Sequence, residues 1–304
     1  VTRATLALLL LFVLTPAGAR ALERPLRIFV AAPRNFLLDE TRIFRPRGER
    51  LPHDDLLRDV GSRVEVQLGK KAWIEVANAQ ELAADLAASK AYGDGLVLGR
   101  EWLNLGQEHY ESLRVDEAIV DLRRAEGLYL QVFHDVVEPY AFARVYLLQG
   151  LCYVERGMKG QSHVAFRRMF FQNPGVRFQP GYYPPHAEEE IRSSAVDFVL
   201  THPKENPFLG DDRLARFFEA YPFDNVVYVY LDGASGQASL HVVVLSREGG
   251  DPVLHESFPL PEGNETAAGP GVGEAVDAAL SRWLSCHDLK PPPSTKSRTP
   301  GIGF

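Results

Sequence analysis

The alternation of apolar and polar positions changes period several times along the chain, and each change marks an element. Leu26 to Ala32 is a β-branched and aromatic run closed by Pro33, which predicts a buried strand. Residues 36–52 then mix charge, Pro and Gly without a period, and read as a loop. Asp54 or Asp55 caps a helix reaching about Gly69, with Leu56, Val60, Val64 and Leu68 on its inward face. Trp73 to Val76 predicts a second strand, and Gln80 to Lys90 a helix with Leu82 and Leu86 on one side. From Gly99 to Pro174 the period is helical throughout, broken where helices must turn. The run Pro180-Gly181-Tyr182-Tyr183-Pro184-Pro185 forbids regular structure, and His186 to Leu200 returns to helix with Ile191, Ala195 and Phe198 grouped. Beyond Asp211 the pattern predicts a helix bearing Leu214, Phe217 and Phe218, strands over 225–231, 239–246 and 252–260, and a last helix over 273–284 with Val276, Ala279, Leu280 and Trp283 together.

The central stretch repeats itself. Trp102, Leu105, Gly106, Tyr110, Ala118, Leu122 and Ala125 place large residues where a helix pair fills its seam, and small ones where two backbones approach closely. Tyr146, Gly150, Tyr153, Gly157, Ser162, Phe166, Met169 and Pro174 follow the same scheme. These residues resemble the tetratricopeptide (TPR) signature, over roughly 75 residues. The resemblance implies two stacked helical hairpins whose concave side holds another chain. Gly106 and Gly150 are 44 residues apart, against about 34 in a TPR unit. The segment from Gly127 to Phe142 therefore carries an insertion or a longer helix. Two repeats are also too few to stack stably alone, so other parts of the chain must cover the open ends, with 186–200 a natural cap.

The flanking pieces suit each other. Strand-helix-strand-helix before the repeats, and helix-strand-strand-strand-helix after them, together make one mixed sheet with helices on one face. That order resembles the TolB-like amino-terminal domain of bacterial envelope proteins. The expected fold class is mixed α+β: a TPR-like hairpin module inserted in, or set beside, a small α/β sheet domain. The corresponding divisions are a leader at 1–21, the first half of the sheet domain at 22–90, helices at 91–205, the second half at 206–289 and a disordered tail at 290–304, rich in Pro, Ser and Lys. Two independent neighbours of the repeat unit are the alternative to an insertion.

The first residues read as an export signal. Arg3 precedes an apolar core from Leu6 to Leu14 that is too short to span a bilayer, and Ala19-Arg20-Ala21 is a small-residue cleavage site with no lipid-acceptor cysteine near it. Cleavage after Ala21 would leave no transmembrane segment and send the chain to the periplasm or outside, unless the core persists as an anchor. The 304 residues carry a formal net charge of -7, which argues against a surface that tracks nucleic-acid phosphates. Of the two cysteines, Cys152 sits among apolar neighbours and reads as a small buried hydrophobe, while Cys286 closes the last helix; a bridge between them is left open.

The motifs for chemistry are incomplete. Gly269-Pro270-Gly271-Val272-Gly273 precedes a helix but lacks the Lys-Ser/Thr pair of a phosphate loop, so it reads as a flexible helix entry. The nine histidines show no metal spacing; His241 and His255 fall on neighbouring strands, where half-exposed strand positions explain them. Ser235-Gly236 lacks the nucleophile-elbow pattern, and Cys286-His287 are adjacent and so point apart on a helix. No catalytic residue, cofactor or metal is assigned. The expectation is a non-enzymatic adaptor that binds a protein or peptide partner of the cell envelope through residues lying off the apolar seam: Asn104, Glu108, Glu111 and Arg144, with Phe171 and Tyr183 from the aromatic pairs 170–171 and 182–183. A structural subunit of an envelope complex, and a hydrolase or nucleotide-responsive protein, are the alternatives.

Overall fold

The computed structural model describes residues 24–37, 43–44, 53–201, 211–233, 238–249, 251–260 and 270–286. The export leader and its cleavage site, Ser235-Gly236, His287, the tail at 290–304 and most of the loop at 36–52 lie outside the described residues, as do the side chains of Asp211, Asp212 and Cys286.

Strands from both ends of the chain build one mixed sheet in the order β3-β1-β4-β5-β6. They are β1 (Leu26–Val30), β3 (Ile74–Asn78), β4 (Asn225–Asp232), β5 (Ser239–Ser246) and β6 (Leu254–Pro259). β1 lies parallel to both neighbours, with Ile28 opposite Val76 on one side and Asn225 on the other. A short β2 (Arg34–Asn35) resumes beside Tyr230 and Leu231 of β4 after the interruption at Pro33, which has no amide hydrogen to give the ladder. β4, β5 and β6 form an antiparallel meander.

Every residue of β4 from Asn225 to Leu231 is buried. A run apolar on both sides of the pleat needs cover on both faces, and this corrects the expectation of helices on one face only. α1 (Asp54–Gly69) and α10 (Pro270–Cys286) cover the face carrying Ile28, Val30, Val227, Val229, Val242 and Val244. The opposite face, with Phe29, Val226, Tyr228, Tyr230 and Val243, is continuous with the core of the intervening helices. By contrast β6 alternates half-buried and exposed residues, as an edge strand does.

The helices between β3 and β4 begin with α2 (Ala79–Ala87), whose first turn is closed by a reciprocal capping box between Asn78 and Glu81. The helix expected over 80–90 ends at Ala87, and α3 starts at Lys90 and runs to Glu111. α3 packs against α4 (Val115–Gln131), α4 against α6 (Pro139–Glu155), α6 against α7 (Lys159–Gln172), and α7 against α8 (Pro185–Thr201). The extra residues in the 44-residue offset are accommodated in two ways: α4 continues past Gly127, and a short α5 (His134–Val137) follows Phe133, whose φ is 53°.

The two hairpins share a close contact of one kind. A Cβ on Gly106 would lie 2.8 Å from Leu122 Cγ, and one on Gly150 would lie 2.4 Å from a ring carbon of Phe166. These glycines let α3 meet α4, and α6 meet α7, at backbone distance. The turns that follow also match. Leu113 (φ 60°) and Gly157 (φ 67°) both occupy the left-handed region after their helices, and the amides of Arg114 and Met158 donate back to His109 and Tyr153 carbonyls at 2.8 Å, the αL closure of a helix C-terminus.

A buried ion pair fastens the helices to the sheet layer. Asp135, 2% exposed at its side chain, accepts two hydrogen bonds from Arg213 of α9 (Asp211–Ala220), which also donates to the Leu130 carbonyl at 3.1 Å.

Candidate functional site

The first helices of the two hairpins, α3 and α6, flank a groove whose third wall is the irregular segment after α7. Its cavity of about 400 Å³ has an apolar floor of Leu147, Leu148 and Leu151. Gln107, Glu111 and Arg144 form a polar bridge across it: Gln107 donates to Glu111 Oε1 at 2.7 Å, and Arg144 donates to Gln107 Oε1.

The third wall is shaped by its own sequence. Gly181, with φ 72°, turns the chain there, and its amide donates to Glu188 Oε1 at 2.7 Å. Phe178 is anchored beneath, its amide donating to the Ile43 carbonyl at 2.8 Å and its ring 5.6 Å from Phe44. Tyr183 packs edge-on against Phe178 at 5.7 Å. Tyr182 is left outside, 71% exposed, with its ring edge-on to Tyr183 at 4.9 Å. A tyrosine already packed on its neighbour has less freedom left for a ligand to remove. Burial, with smaller contributions from Glu155 and other groups, pushes the Tyr110 hydroxyl up to about 12, so it stays a neutral hydrogen-bonding group at the groove wall.

Of the residues predicted to bind a partner, Glu111, Arg144 and Tyr183 come together in this groove. Asn104 and Glu108 are exposed on α3 but do not line the cavity. Phe171 sits elsewhere, at the junction of helices and sheet, half-buried with its ring 6.1 Å from Phe36 and 5.1 Å below the Arg34 guanidinium. Of the pair 182–183, Tyr182 is the outward member and Tyr183 the half-buried one; Tyr110 reads from sequence as a seam residue, and Gln107 acquires its place only when the segment at 177–183 folds back. Of the residues that carry the TPR resemblance, Gly106, Ala118, Leu122, Ala125, Gly150, Tyr153, Phe166 and Pro174 are buried, Trp102, Leu105 and Tyr110 half-buried, and Gly157 exposed in its turn. The Trp102 ring is covered by the Arg124 guanidinium at 4.5 Å.

A second cavity, of about 520 Å³, opens beside Asn35, Asp54, Arg58, Glu65 and Tyr140. It lies outside the carboxyl end of β1, where the strand order reverses between β3 and β4, the usual place for a ligand in an open α/β sheet. Asn35 is buried and donates to Asp54 Oδ1 at 2.7 Å, while Asn78 donates to Glu65 Oε2 at 3.3 Å, so both carboxylates are held.

Other groupings that suggest chemistry are structural. Ser194 Oγ lies 3.1 Å from His163 Nδ1, and His163 Nε2 lies 3.2 Å from Asp197. Ser194 is fully buried and donates to the Glu190 carbonyl at 2.8 Å, so its proton is committed and no substrate reaches it. The trio clasps α7 to α8, which covers the end of the helical stack. The glycine-rich entry to α10 meets Arg63, whose guanidinium lies 2.8 Å from where a Gly273 Cβ would be and 3.2 Å from Asp277. Cys152 is buried and unbridged, and burial pushes its thiol up to about 12, which keeps it protonated. Among the described residues no helix is long and apolar enough to cross a membrane, and no group of three or more His, Cys, Asp or Glu could hold a metal ion.

Fold and groove together define an α+β protein with a cavity between α3, α6 and the segment at 177–183, rimmed by aromatic residues. Comparison with family models, with curated proteins and with solved structures gives no match.

Proposed function

We propose that this chain is a non-enzymatic adaptor that holds an extended segment of a protein or peptide partner in the groove between α3 and α6. The observation that carries the reading is the convergence of Glu111, Arg144 and Tyr183 with the exposed Tyr182 around one apolar-floored cavity. An extended segment offers alternating side chains and free backbone groups. The leucine floor and tyrosine wall suit the side chains, and Gln107, Glu111 and Arg144 suit the backbone. Taking the hairpins as TPR-like repeats agrees with this, because two of the three groove walls, α3 and α6, are the first helices of the two pairs. The export signal read in the first 21 residues supports a periplasmic or secreted setting and a partner in the cell envelope, either met transiently or held as a fixed subunit.

Selection from a random peptide library against the full chain tests the reading. Recovered peptides should bind at least tenfold more weakly to a Tyr182→Ala, Arg144→Ala double variant and equally well to Lys70→Ala on α1's far end. Equal binding to all three would refute the groove as the site. A small-ligand reading is favoured by one observation, the cavity at the carboxyl end of β1. Under that reading a nucleotide or similar polar molecule raises the melting temperature by several degrees, and Asp54→Ala removes the shift.

A further inference from the structure

The exposed part of the sheet carries a site that the groove does not use. We infer that His241 and His255 form a two-imidazole chelate for a borderline divalent transition ion, with Zn²⁺, Ni²⁺ and Cu²⁺ as the ions of fitting chemistry.

The argument begins with strand register. His241 of β5 is paired with Ser257 of β6, and Val243 with His255, so the two histidines are diagonal neighbours on one face. In the structure His241 Nδ1 lies 3.3 Å from His255 Nε2. A tetrahedral ion with metal–nitrogen bonds of about 2.0–2.1 Å sets its two nitrogen ligands about 3.3 Å apart. The separation already present is thus the bite such an ion needs.

The His241 ring is also held in place. His241 lies flat on Tyr230, with centroids 4.5 Å apart and planes 6° from parallel, and Tyr230 is itself stacked on Tyr228. That arrangement fixes the direction of Nδ1, and it rests on strands rather than on a loop. His255 is exposed, as are its neighbours Ser257 and Pro259 on the same face of β6, leaving room for water to complete the coordination shell. Burial of the His241 ring disfavours its charged form, with Asp232 opposing and His255 acting in the same direction as burial.

Without metal, one of the facing nitrogens carries a proton and donates to the other. On binding, that proton moves through solvent to the far nitrogen of the same ring, and each imidazole remains neutral with one N–H. Charge and proton count are therefore unchanged by the exchange. Since no group of three or more His, Cys, Asp or Glu that could hold a metal occurs among the described residues, the remaining positions belong to water, and the affinity order should follow ligand softness and the Irving–Williams series, with Cu²⁺ tightest and Mg²⁺ not bound.

Calorimetric titration of the full chain with CuCl₂, NiCl₂, ZnCl₂ and MgCl₂ tests the assignment. A site with unit stoichiometry should appear for the first three and be weakened at least tenfold in His255→Ala. His241→Phe, which keeps a ring stacked on Tyr230, should have the same effect. Electron paramagnetic resonance of the Cu²⁺ form should show coupling to two imidazole nitrogens in the wild type and to one in His255→Ala. Absence of binding, or titrations unchanged by both substitutions, would overturn the site and mark the pair as a plain hydrogen bond. Tyr182→Ala should leave the metal titration untouched, which keeps this test separate from that of the groove.

Discussion

The shared contact between hairpin helices gives a stability series whose signs differ. Replacing a helical glycine by alanine is worth about 1 kcal/mol in favour of the helix, and the new methyl then stabilises or destabilises according to what it meets. At Gly150 it would sit 2.4, 2.6 and 2.7 Å from three ring carbons of Phe166, about 1 Å inside ordinary carbon contact. Phe166 is fully buried, so the ring cannot swing away without moving its neighbours. Overpacking at the upper end of its range, about 3 kcal/mol, exceeds the propensity gain, and Gly150→Ala should destabilise by about 2 kcal/mol. At Gly106 the clash is with Leu122, also fully buried, but at 2.8 and 3.0 Å the overlap is smaller, so a lower net cost of about 0–1 kcal/mol is expected. Gly127 is exposed on α4 with nothing within 4 Å of its would-be Cβ, and Gly127→Ala should stabilise by about 1 kcal/mol. Urea unfolding followed by circular dichroism at constant slope measures all three. Gly150→Ala, Phe166→Leu should recover part of the loss. If Gly150→Ala is as stable as Gly127→Ala, the close approach of α6 and α7 is not a constraint and the packing argument fails.

Three further outcomes follow from other parts of the molecule. Leu113 holds φ 60° and is 83% exposed where the second hairpin has Gly157; Leu113→Gly should raise stability by about 0.5–1 kcal/mol, since relief of left-handed strain outweighs glycine's unfolded-state entropy, and a lower urea midpoint would contradict it. Asp135→Ala leaves Arg213 without its buried partner and should cost about 3–5 kcal/mol, read as a fall in the urea midpoint. His134, 2% exposed, packs against Tyr129 with ring centroids 4.7 Å apart, and burial lowers its pKa below 6.5 against the opposing pull of Glu138 and Asp135. Below pH 6.5 the unfolded chain therefore binds the extra proton first, and stability falls as pH drops from about 6.5 toward the folded value, by up to about 1.4 kcal/mol per pH unit. His134→Phe should flatten that part of the pH–stability curve, and an unchanged slope would show that the group does not titrate as described.

Much of this protein was determined locally. Period 2 in Leu240, Val242 and Val244, the helical spacing of Leu56, Val60, Val64 and Leu68, and the paired small residues at Gly106 and Gly150 are decided by neighbours a few positions away, so the elements and the mixed α+β class can be read directly from the chain. What needed the tertiary structure was everything resting on long loops and on two-sided burial. The apolar run of β4 says that it is buried, but not that α1 and α10 lie on one side of it and α9 with the helical stack on the other. The groove is assembled from α3, α6 and a segment some 70 residues beyond α3 whose course is fixed by Gly181, Glu188 and the contact with Ile43. The approach of His241 to His255 depends likewise on register, because a slip of one residue between β5 and β6 would send one of the rings to the opposite face.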